Sequence, residues 1–417
     1  MNSADWISYE EAYARGIAAV TPLNTETVPL TEALGRALAE PVSAPVPHPP
    51  WDNSAMDGFA VYERDVMGAT EETPIALPIS QEIPAGKFPQ GPLEKGSAAR
   101  VMTGAPVPEG STGVIRIEHT DGGTDNKVLI FNDADRKRHI RLTGEDTPAG
   151  ATLLHMGEEI GSAATALLAM AGCSHVAVVR RPRVGVLANG DELAGLENYD
   201  EVLSGQKIMN SNGYALAAQL ESAGAEPTIL GIARDNPKDL RRYLLEYENF
   251  DALVSAAGVS VGDHDYVKIV LDQLGFERSF WRVQMRPGSA TLFGNLSSRP
   301  FWGVPGNPVS ALVTFEVLVR PAIRKMAGYA RHTRRLIRCR TAEEIRGPEN
   351  VVTFLRVQIA EEDSGHPVAR LAGAQGSGIL TSMLADGLLV LPEGTSLVEK
   401  GEFVQVMPLR EWARNAR

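Results

Sequence analysis

From about residue 182 onward the sequence alternates short apolar segments with longer amphipathic ones, and this alternation constrains the fold more than any other feature. Three segments predict strands, namely RVGVLA, PTILGIA and DALVSAAG. Between and after them, SNGYALAAQLESAG, PKDLRRYLLEYE and a segment near 264–274 predict helices. Strands that alternate with helices of this length are typical of βαβ units, so the pattern predicts a parallel sheet.

The end of this alternating region carries its own helix signals. The segment GVPGNPVSALVTFEVLVRPAIRKMAG begins with a turn in which Asn307 can cap a helix, and Pro308 suits the first helical position. Gly328 suits the position that follows the last helical residue. We therefore assign residues 181–329 to one α/β domain.

The residues before this domain predict a small, partly helical domain that is split in sequence. Residues 8–20 begin at a Ser8 cap and predict a helix, and a second helix, capped by Thr31, is predicted at 31–39. We assign residues 1–50 and 140–180 to this N-terminal and linker domain.

Two further regions predict β structure. In 51–139, the segments GFAVY, ARVM, GVIRI and KVLIF alternate with Gly/Pro turns and predict a module that is entirely β. The proline-rich run at 41–54 forbids a helix and marks the entrance to this module. Residues 330–417 return to short strands and turns. The predicted fold class is multidomain α/β plus β, with a β-rich insert module, a small helical and linker domain and a C-terminal β-barrel-like domain.

Composition excludes several classes of protein. The 417 residues carry 40 Lys and Arg against 52 Asp and Glu, and a net charge of −12 does not indicate a nucleic-acid or membrane-surface binder. Cys173 and Cys339 are too few and too far apart for a disulfide framework or a zinc finger. We find no apolar run of membrane-spanning length and no basic flank of a signal peptide, so we expect a soluble, cytoplasmic protein.

Acidic and glycine-rich residues follow the predicted strands of the α/β domain. In an open α/β sheet, ligands bind at the carboxyl ends of the strands. The residues at those ends are Asn189-Gly190-Asp191-Glu192, Arg234-Asp235, the run 258–265 and Pro305-Gly306-Asn307-Pro308. Four carboxylates in these segments are hard oxygen ligands that suit Mg²⁺ shared with a substrate phosphate: Glu192, Asp235, Asp263 and Asp265.

The same edge of the sheet offers groups for an anion. Glycine-rich turns that enter helices supply backbone N–H groups and positive helix ends. Arg282 and Arg286 lie four residues apart on the extended segment WRVQMRPG, so their side chains would point to one face and could clamp an anion. A phosphorylated substrate, a divalent cation and an anion pocket are mutually consistent.

Each of these residues also has a structural interpretation. A single Asp after a strand is more often a helix cap than a metal ligand. The chain lacks the GxxxxGK[ST] motif of a P-loop. The run GVSVG around Ser260 matches the GxSxG pattern of hydrolases without an evident His and Asp pair, and His264 is interpreted as a surface residue. However, four strand-end segments with acidic or glycine-rich residues at one edge of the sheet favour a functional site.

Seven motifs resemble those of the MoeA/gephyrin E-domain family, in the family's order along nearly the whole chain. They are PPWDNSAMDGFAV (49–61), RVMTGAPVPEGSTGVI (100–115), NGDEL (189–193), IMNSN (208–212), GVSVGDHDYVK (258–268), GVPGNPVSALVTFE (303–316) and GSGILTSM (376–383). The DNSAMDG run and the PGNPVS helix entry are the most specific of them. On these motifs the sequence is identified as a member of that family.

The resemblance implies a molybdopterin molybdenumtransferase. With Mg²⁺, such enzymes cleave adenylylated molybdopterin, insert molybdate into its dithiolene and release AMP. The resemblance also implies an elongated homodimer of four-domain subunits, a MogA-like three-layer architecture for residues 181–329, and a MogA-like protein acting upstream. The active cleft would lie between the α/β domain of one subunit and the β domains of its partner.

By motif match, the resemblance assigns roles to individual residues. The catalytic residues would be Asp57, Thr103, Asp146, Glu192, Asp235 and Asp265, and the metal ligands Glu192, Asp235, Asp263 and Asp265. The substrate-binding residues would be Gly190, Asp191, Gly258, Ser260, Gly262, Arg282, Arg286, Ser289, Pro305, Asn307 and Ser377. For Asp52 and Asp57, the structural alternative is an Asx turn.

Three departures from the family's pattern fall at this site. Ala256 and Ala257 stand in a run that is usually glycine-rich, and Asn189 stands where threonine is usual. Ser289 stands in place of the second lysine of a Lys-Pro-Gly-Lys-Pro run, a lysine that helps to hold molybdate in the family. These changes predict altered anion contacts.

Three functions remain open from the sequence. The first is the enzyme with altered anion contacts, which the retained carboxylates favour. The second is a catalytically weakened scaffold or binding protein that grips a partner peptide in the dimer cleft, which the serine at position 289 favours. The third is an earlier step that binds or adenylylates molybdopterin, against which the fused β modules argue. The choice between molybdate and tungstate stays open.

Overall fold

The computed structural model describes residues 6–257, 266–361, 365–376 and 380–410. The chain divides into two compact units. The first unit comprises Met1–Glu40, Met156–Thr165 and Ser174–Arg417, and the second comprises Pro41–His155 and Ala166–Cys173. No helix among the described residues is both long enough and apolar enough to cross a membrane.

The elements are numbered in chain order. The helices are α1 Tyr9–Ala18, α2 Glu63–Val66, α3 Ser162–Met170, α4 Tyr199–Leu203, α5 Ser211–Ser222, α6 Pro237–Leu244, α7 Tyr266–Gln273, α8 Pro308–Thr314 and α9 Arg320–Met326, with a π-helical turn at Phe315–Val319. The strands are β1 Ile7–Ser8, β2 Thr25–Pro29, β3 Val42–Ser43, β4 Asn53–Ser54, β5 Gly58–Val61, β6 Ile75–Ile83, β7 Ala98–Val101, β8 Gly113–Arg116, β9 Lys127–Ile130, β10 Ile140–Arg141, β11 Thr152–Leu154, β12 His175–Val179, β13 Arg183–Asn189, β14 Leu193–Ala194, β15 Ile208–Met209, β16 Glu226–Ala233, β17 Ala252–Ala256, β18 Phe276–Phe280, β19 Val283–Arg286, β20 Leu292–Leu296, β21 Arg299–Val304, β22 Ile337–Thr341, β23 Ile345–Arg346, β24 Val352–Glu361, β25 Pro367–Leu371, β26 Gly387–Leu391, β27 Leu397–Val398 and β28 Phe403–Pro408.

The α/β part of the first unit is built on a sheet with the strand order β16-β13-β17-β21-β20-β18. The first four strands are parallel, and the last two pair antiparallel. Alternate residues of one strand face opposite sides, so Val186 packs with α5 and α8 while Leu187 packs with α6 and α7. Helices on both faces confirm the predicted three-layer α/β architecture.

The C-terminal part of the first unit is a small closed barrel. Its strands follow the order β24-β25-β22-β28-β26, and β26 pairs back with β24. Cys339, Val357 and Leu389 belong to its core, where burial raises the pKa of the Cys339 thiol to about 11. The first residues of β24, Val352 and Thr353, also pair with β19, and β19 pairs with β1. The predicted β-barrel-like C-terminal domain is confirmed.

The second unit contains a five-stranded sheet with the order β8-β5-β7-β6-β9. Phe59, Ile115 and Val128 are fully buried in its core. The prediction that 51–139 is entirely β is corrected in two places, since α2 and a 3₁₀ turn at Ile117–His119 interrupt the strands.

Of the two helices predicted near the N-terminus, each with its own cap residue, only the first forms. The predicted first helix is confirmed as α1, and the Glu11 backbone N–H donates to Ser8 Oγ at 3.1 Å. The predicted helix at 31–39 is wrong, because only a 3₁₀ turn forms at Leu30–Glu32. Gly35 then takes a φ of +73°, which a right-handed helix cannot accommodate.

The helical run at the end of the α/β part begins and ends as predicted. Pro308 is the first residue of α8, and Gly328, with a φ of +84°, follows α9. Asn307 occupies the N-cap position, but its side chain makes no capping hydrogen bond. The predicted capping bond of Asn307 is therefore wrong, and its Oδ1 is buried without a partner among the described residues.

Candidate functional site

The carboxyl ends of the parallel strands bring Asn189, Asp191 and Asp235 together. Asn189 ends β13, and Asp235 lies two residues beyond β16, its neighbour in the sheet. Asn189 Nδ2 donates to Asp235 Oδ1 at 2.8 Å, and the Asp191 backbone N–H donates to Asp235 Oδ2 at 3.2 Å. Both oxygens of the Asp235 carboxylate thus hold this turn in place.

Glu192 folds back over the same turn. Gly190 has a φ of +151°, and a Cβ at this position would lie 2.5 Å from Glu192 Oε2. Glu192 and Asn189 both line a cavity of about 130 Å³ at the strand ends. Its other wall includes Asn212, whose Nδ2 donates to the Gly306 carbonyl at 2.7 Å.

The two alanines that depart from the family's pattern also line this cavity. Ala257 has a φ of +71°, a left-handed conformation that glycine adopts more readily and that costs an alanine about 1–2 kcal/mol. A Cβ at Gly306 would lie 3.0 Å from the Ala257 Cβ. The alanine methyls therefore narrow the cavity at its glycine-rich wall.

A second cavity of about 410 Å³ adjoins the NGDE turn on the side of β16. Gly190 and Asp191 line it together with Lys207 and Arg234. The Lys207 ammonium donates to the Asp191 carbonyl, so one cation is anchored at the turn. The lining of this cavity therefore has side chains of both charges.

The largest of these cavities, about 700 Å³, lies at the junction of β19 and the barrel and is rich in arginine. Arg286 and Ser289 line it, as does Arg346 from β23, whose Nε donates to Glu344 Oε1 at 2.7 Å in the same wall. Arg282 does not join them: its guanidinium lies over the Trp6 ring, 5.3 Å from the centroid. Of the two arginines predicted to clamp an anion, the structure thus places one in this cavity.

Arg356 completes this cavity and was missed by the sequence analysis. Its side chain is only 3% exposed, and its guanidinium donates to Ser382 Oγ at 3.3 Å and to the Gly376 carbonyl at 2.9 Å. Among the described residues it forms no ion pair with a carboxylate, and burial lowers its pKa. The sequence does contain a signal for Arg356, because an arginine inside the apolar run VVTFLRVQIA is unusual for a core strand.

In the second unit, Asp57 and Thr103 form a tight pair. The Thr103 backbone N–H and hydroxyl both donate to Asp57 Oδ1, at 2.7 and 2.9 Å. The backbone bond first, and the hydroxyl second, lower the pKa of the exposed Asp57 carboxyl. The pair holds a charged carboxylate in one orientation through Oδ1.

Asp52 and Asp146 lie in comparable surface turns of the second unit. Thr143 donates its N–H and hydroxyl to Asp52 Oδ1 at 2.7 and 2.8 Å, so Asp52 bridges distant segments rather than forming a local Asx turn. Asp146 is exposed and accepts a hydrogen bond from the neighbouring Thr147 hydroxyl at 3.3 Å.

Several predicted site residues lie outside the described residues. They are Gly258, Ser260, Gly262, Asp263, His264, Asp265 and Ser377. Their assigned roles stay predictions. Pro305 lies between β21 and α8, beside the Gly306 turn described above.

The donor set fits a hard divalent cation in its chemistry. Glu192 and Asp235 supply carboxylates, and Asn189 Oδ1 is a buried oxygen without a hydrogen-bond donor among the described residues. Within the ranges that the structure describes, no group of three His, Cys, Asp or Glu side chains could by itself hold a metal. Carboxylates from the 258–265 run would therefore be needed for an all-acid site.

Comparison with known proteins gives matches along nearly the whole chain. Family models match in three parts: the MoeA N-terminal region (domains I and II) at 7–172, a probable molybdopterin binding domain at 185–325, and the MoeA C-terminal region (domain IV) at 338–409.

Curated relatives and solved structures match over the same length. A molybdopterin molybdenumtransferase of Nostoc is 37% identical over 93% of this chain and 89% of its own. Molybdopterin molybdenumtransferase 2 of Mycobacterium tuberculosis is 36% identical over 92% and 95%. A molybdopterin biosynthesis moeA protein from Pyrococcus horikoshii covers 97% of this chain and 100% of its own, with 27% identity and a TM-score of 0.83.

Proposed function

Because the chain belongs to the MoeA family and is a transferase of molybdenum cofactor biosynthesis, we propose that it carries out the final step of that synthesis. In this step adenylylated molybdopterin is cleaved with Mg²⁺, molybdate is inserted, and molybdenum cofactor and AMP are released. A MogA-like protein would supply the adenylylated substrate, and the protein would act as a homodimer.

The observation that carries the proposal is the arginine-rich cavity of about 700 Å³. Molybdate is a tetrahedral dianion, and guanidinium groups bind such oxyanions through charge-assisted hydrogen bonds. Arg356 is buried without a carboxylate partner among the described residues, so an anion in the cavity would compensate its charge. Arg286 at the end of β19 and the Ser289 hydroxyl in the following turn supply further contacts.

The strand-end carboxylates support the cleavage half of the reaction. Glu192 and Asp235, with Asp263 and Asp265 as predicted further ligands, would hold Mg²⁺, which neutralises charge on phosphate oxygens when bound. Asp235 accepts hydrogen bonds from Asn189 and from the Asp191 backbone, so it is held in place before substrate arrives. Cleavage of a phosphoanhydride depends mainly on such positioning and charge neutralisation.

Asp57 and Thr103 support the proposal from the second unit. Thr103 fixes the Asp57 carboxylate through two hydrogen bonds to Oδ1 and keeps it charged. A fixed, ionised carboxylate can orient a water molecule or a substrate N–H group, and we assign Asp57 that role, with Asp146 as a second acidic group.

The test supplies the purified protein with adenylylated molybdopterin, Mg²⁺ and molybdate, and measures AMP release together with active cofactor. We expect both products from the wild type. Arg286→Met should lose cofactor formation, whereas Arg340→Met should not, because Arg340 lies on the barrel over the Phe403 ring.

Two outcomes would redirect the assignment. AMP release that does not depend on molybdate would leave a hydrolase and remove the insertion step. No AMP at all would favour the scaffold, in which the cleft grips a partner peptide.

A further inference from the structure

The side chain of Asn189 leaves one buried polar atom without a partner. Asn189 is 7% exposed, and its Oδ1 finds no hydrogen-bond donor among the described residues. A buried carbonyl oxygen without a hydrogen bond destabilises the protein, which is a reason to expect a ligand for it. The side chain lines the cavity of about 130 Å³ at the strand ends.

The orientation of this amide is set by its neighbour. Asn189 Nδ2 donates to Asp235 Oδ1 at 2.8 Å. If the amide were flipped, Oδ1 would face the carboxylate oxygen, and two acceptors would repel each other. Asp235 therefore holds Nδ2 on its own side and leaves Oδ1 as the free end of the amide.

The residues around Asn189 Oδ1 favour a cation as its ligand over an N–H group of the substrate. Glu192 lines the same cavity, and Asp235 adds a second negative charge behind the amide. The volume of about 130 Å³ corresponds to about four water molecules. That is room for a small ion that keeps part of its hydration, as Mg²⁺ prefers to do.

We propose that Asn189 Oδ1 is a neutral oxygen ligand of a divalent cation bound at the strand ends together with the Glu192 carboxylate. Besides its role as a carboxylate of the proposed cation site, Asp235 positions Asn189, because its Oδ1 accepts the hydrogen bond that orients the amide. The inference rests on the proposed function only in identifying the cation with Mg²⁺.

The test measures Mn²⁺ binding to the full-length protein without molybdopterin or molybdate, by the electron paramagnetic resonance signal of free Mn²⁺. Asn189→Thr retains a side-chain oxygen, and Asn189→Val has nearly the same shape without it. We expect Asn189→Val to bind Mn²⁺ about 10-fold more weakly than the wild type, and Asn189→Thr to stay within about 3-fold of it. Glu192→Gln should also weaken binding.

A second measurement is made on the wild type and covers the case in which Asn189→Val does not fold. Wild-type protein with carbon-13 in its asparagine side-chain carbonyls should show a carbon-13 coupling in the pulsed ENDOR spectrum of bound Mn²⁺. Asn189→Thr, labelled in the same way, should lose that coupling. Unchanged Mn²⁺ affinity in Asn189→Val, or no carbon-13 coupling in the wild type, would overturn the proposal and leave Oδ1 to accept from a substrate N–H group.

These measurements also separate this inference from the proposed function. Cation binding is measured without substrate, so it can be confirmed even if the wild type releases no AMP. Conversely, AMP release and cofactor formation with Mn²⁺ affinity unchanged in Asn189→Val would retain the proposed function and remove only this ligand.

Discussion

Asp135 in the second unit and Arg356 in the first are both buried ions, but of the two only Asp135 has an oppositely charged partner, Arg116, among the described residues. Asp135 is fully buried, and Arg116 donates to its two oxygens at 2.8 and 3.0 Å. His139 Nε2 lies 3.0 Å from Oδ1, and His119 Nδ1 lies 3.1 Å from Oδ2. Arg356, by contrast, has neutral oxygens as its hydrogen-bond acceptors among the described residues.

The difference separates a structural charge from one that is available to a ligand. An ion whose charge is neutralised by fixed neighbours stabilises the fold only as part of its cluster. The loss of one partner leaves the remaining charge buried and unpaired. An uncompensated buried ion that borders a cavity destabilises the protein while the cavity is empty. The binding of a counter-ion offsets that cost. We therefore expect substitution of Asp135 to act on stability and substitution of Arg356 to act on anion binding.

The largest expected effect is that of Asp135→Asn on stability. The substitution removes the charge that pairs with Arg116, and should cost about 3 kcal/mol of unfolding free energy, since Arg116 stays partly exposed. Urea unfolding monitored by circular dichroism would measure this loss. Molybdate affinity should stay within about 2-fold of wild type. A large loss of affinity with normal stability would contradict the assignment of Asp135 as structural.

Arg356→Met should show the opposite pattern. We expect molybdate binding, measured by equilibrium dialysis, to weaken about 10- to 100-fold, because hydrogen bonds to charged groups contribute about 1.5–3 kcal/mol. Stability should change by less than about 1 kcal/mol, because methionine removes an uncompensated buried charge. Arg340→Met is the matched control. Retained affinity together with a large loss of stability would make Arg356 a structural residue after all.

The two candidate binding regions of the first unit, the sheet edge and the arginine-rich cavity, differ in how far the sequence could reveal them. The sheet edge with Asp191, Glu192 and Asp235 was predictable, because strand alternation fixes where the carboxyl ends meet. The arginine-rich cavity was not, because it depends on β24 pairing with β19 across more than 60 residues of intervening chain. Local patterns do not specify such a pairing, so Arg356 could be noticed as unusual but not placed.

Local signals also failed where backbone geometry overrode them. The helix predicted at 31–39 does not form, because Gly35 has a left-handed conformation. The residues after Gly35 form β-bridges instead, Ala37 with Glu159 and Leu38 with Val178. The capping bond predicted for Asn307 did not form, although the helix begins at the predicted residue. In both places the type of residue was compatible with the prediction, and tertiary contacts decided the outcome.

The third prediction concerns pH and tests the compensated ion. Burial by itself raises the pKa of Asp135, but the hydrogen bonds from Arg116 and His139 together outweigh it and hold this pKa well below its usual value. A lowered carboxyl pKa stabilises the fold above the unfolded-state pKa near 4, and that stability is lost as the pH falls below it. Urea midpoints should therefore fall more steeply below about pH 4 in the wild type than in Asp135→Asn. Parallel profiles for the two proteins would show that Asp135 does not carry this dependence.

The smallest expected effect is that of adding a charge to the uncompensated side. Ser289→Lys places a further cation in the wall of the cavity that holds Arg286 and Arg356, so molybdate should bind up to about 5-fold more tightly at low salt. The gain should shrink as salt rises, because the added charge lies near solvent. Ser289→Met serves as the control for size without charge. If dialysis shows equal affinities for Ser289→Lys and Ser289→Met, then the added charge does not contribute to molybdate binding. In that case the arginines of the cavity already supply the contacts of the missing lysine.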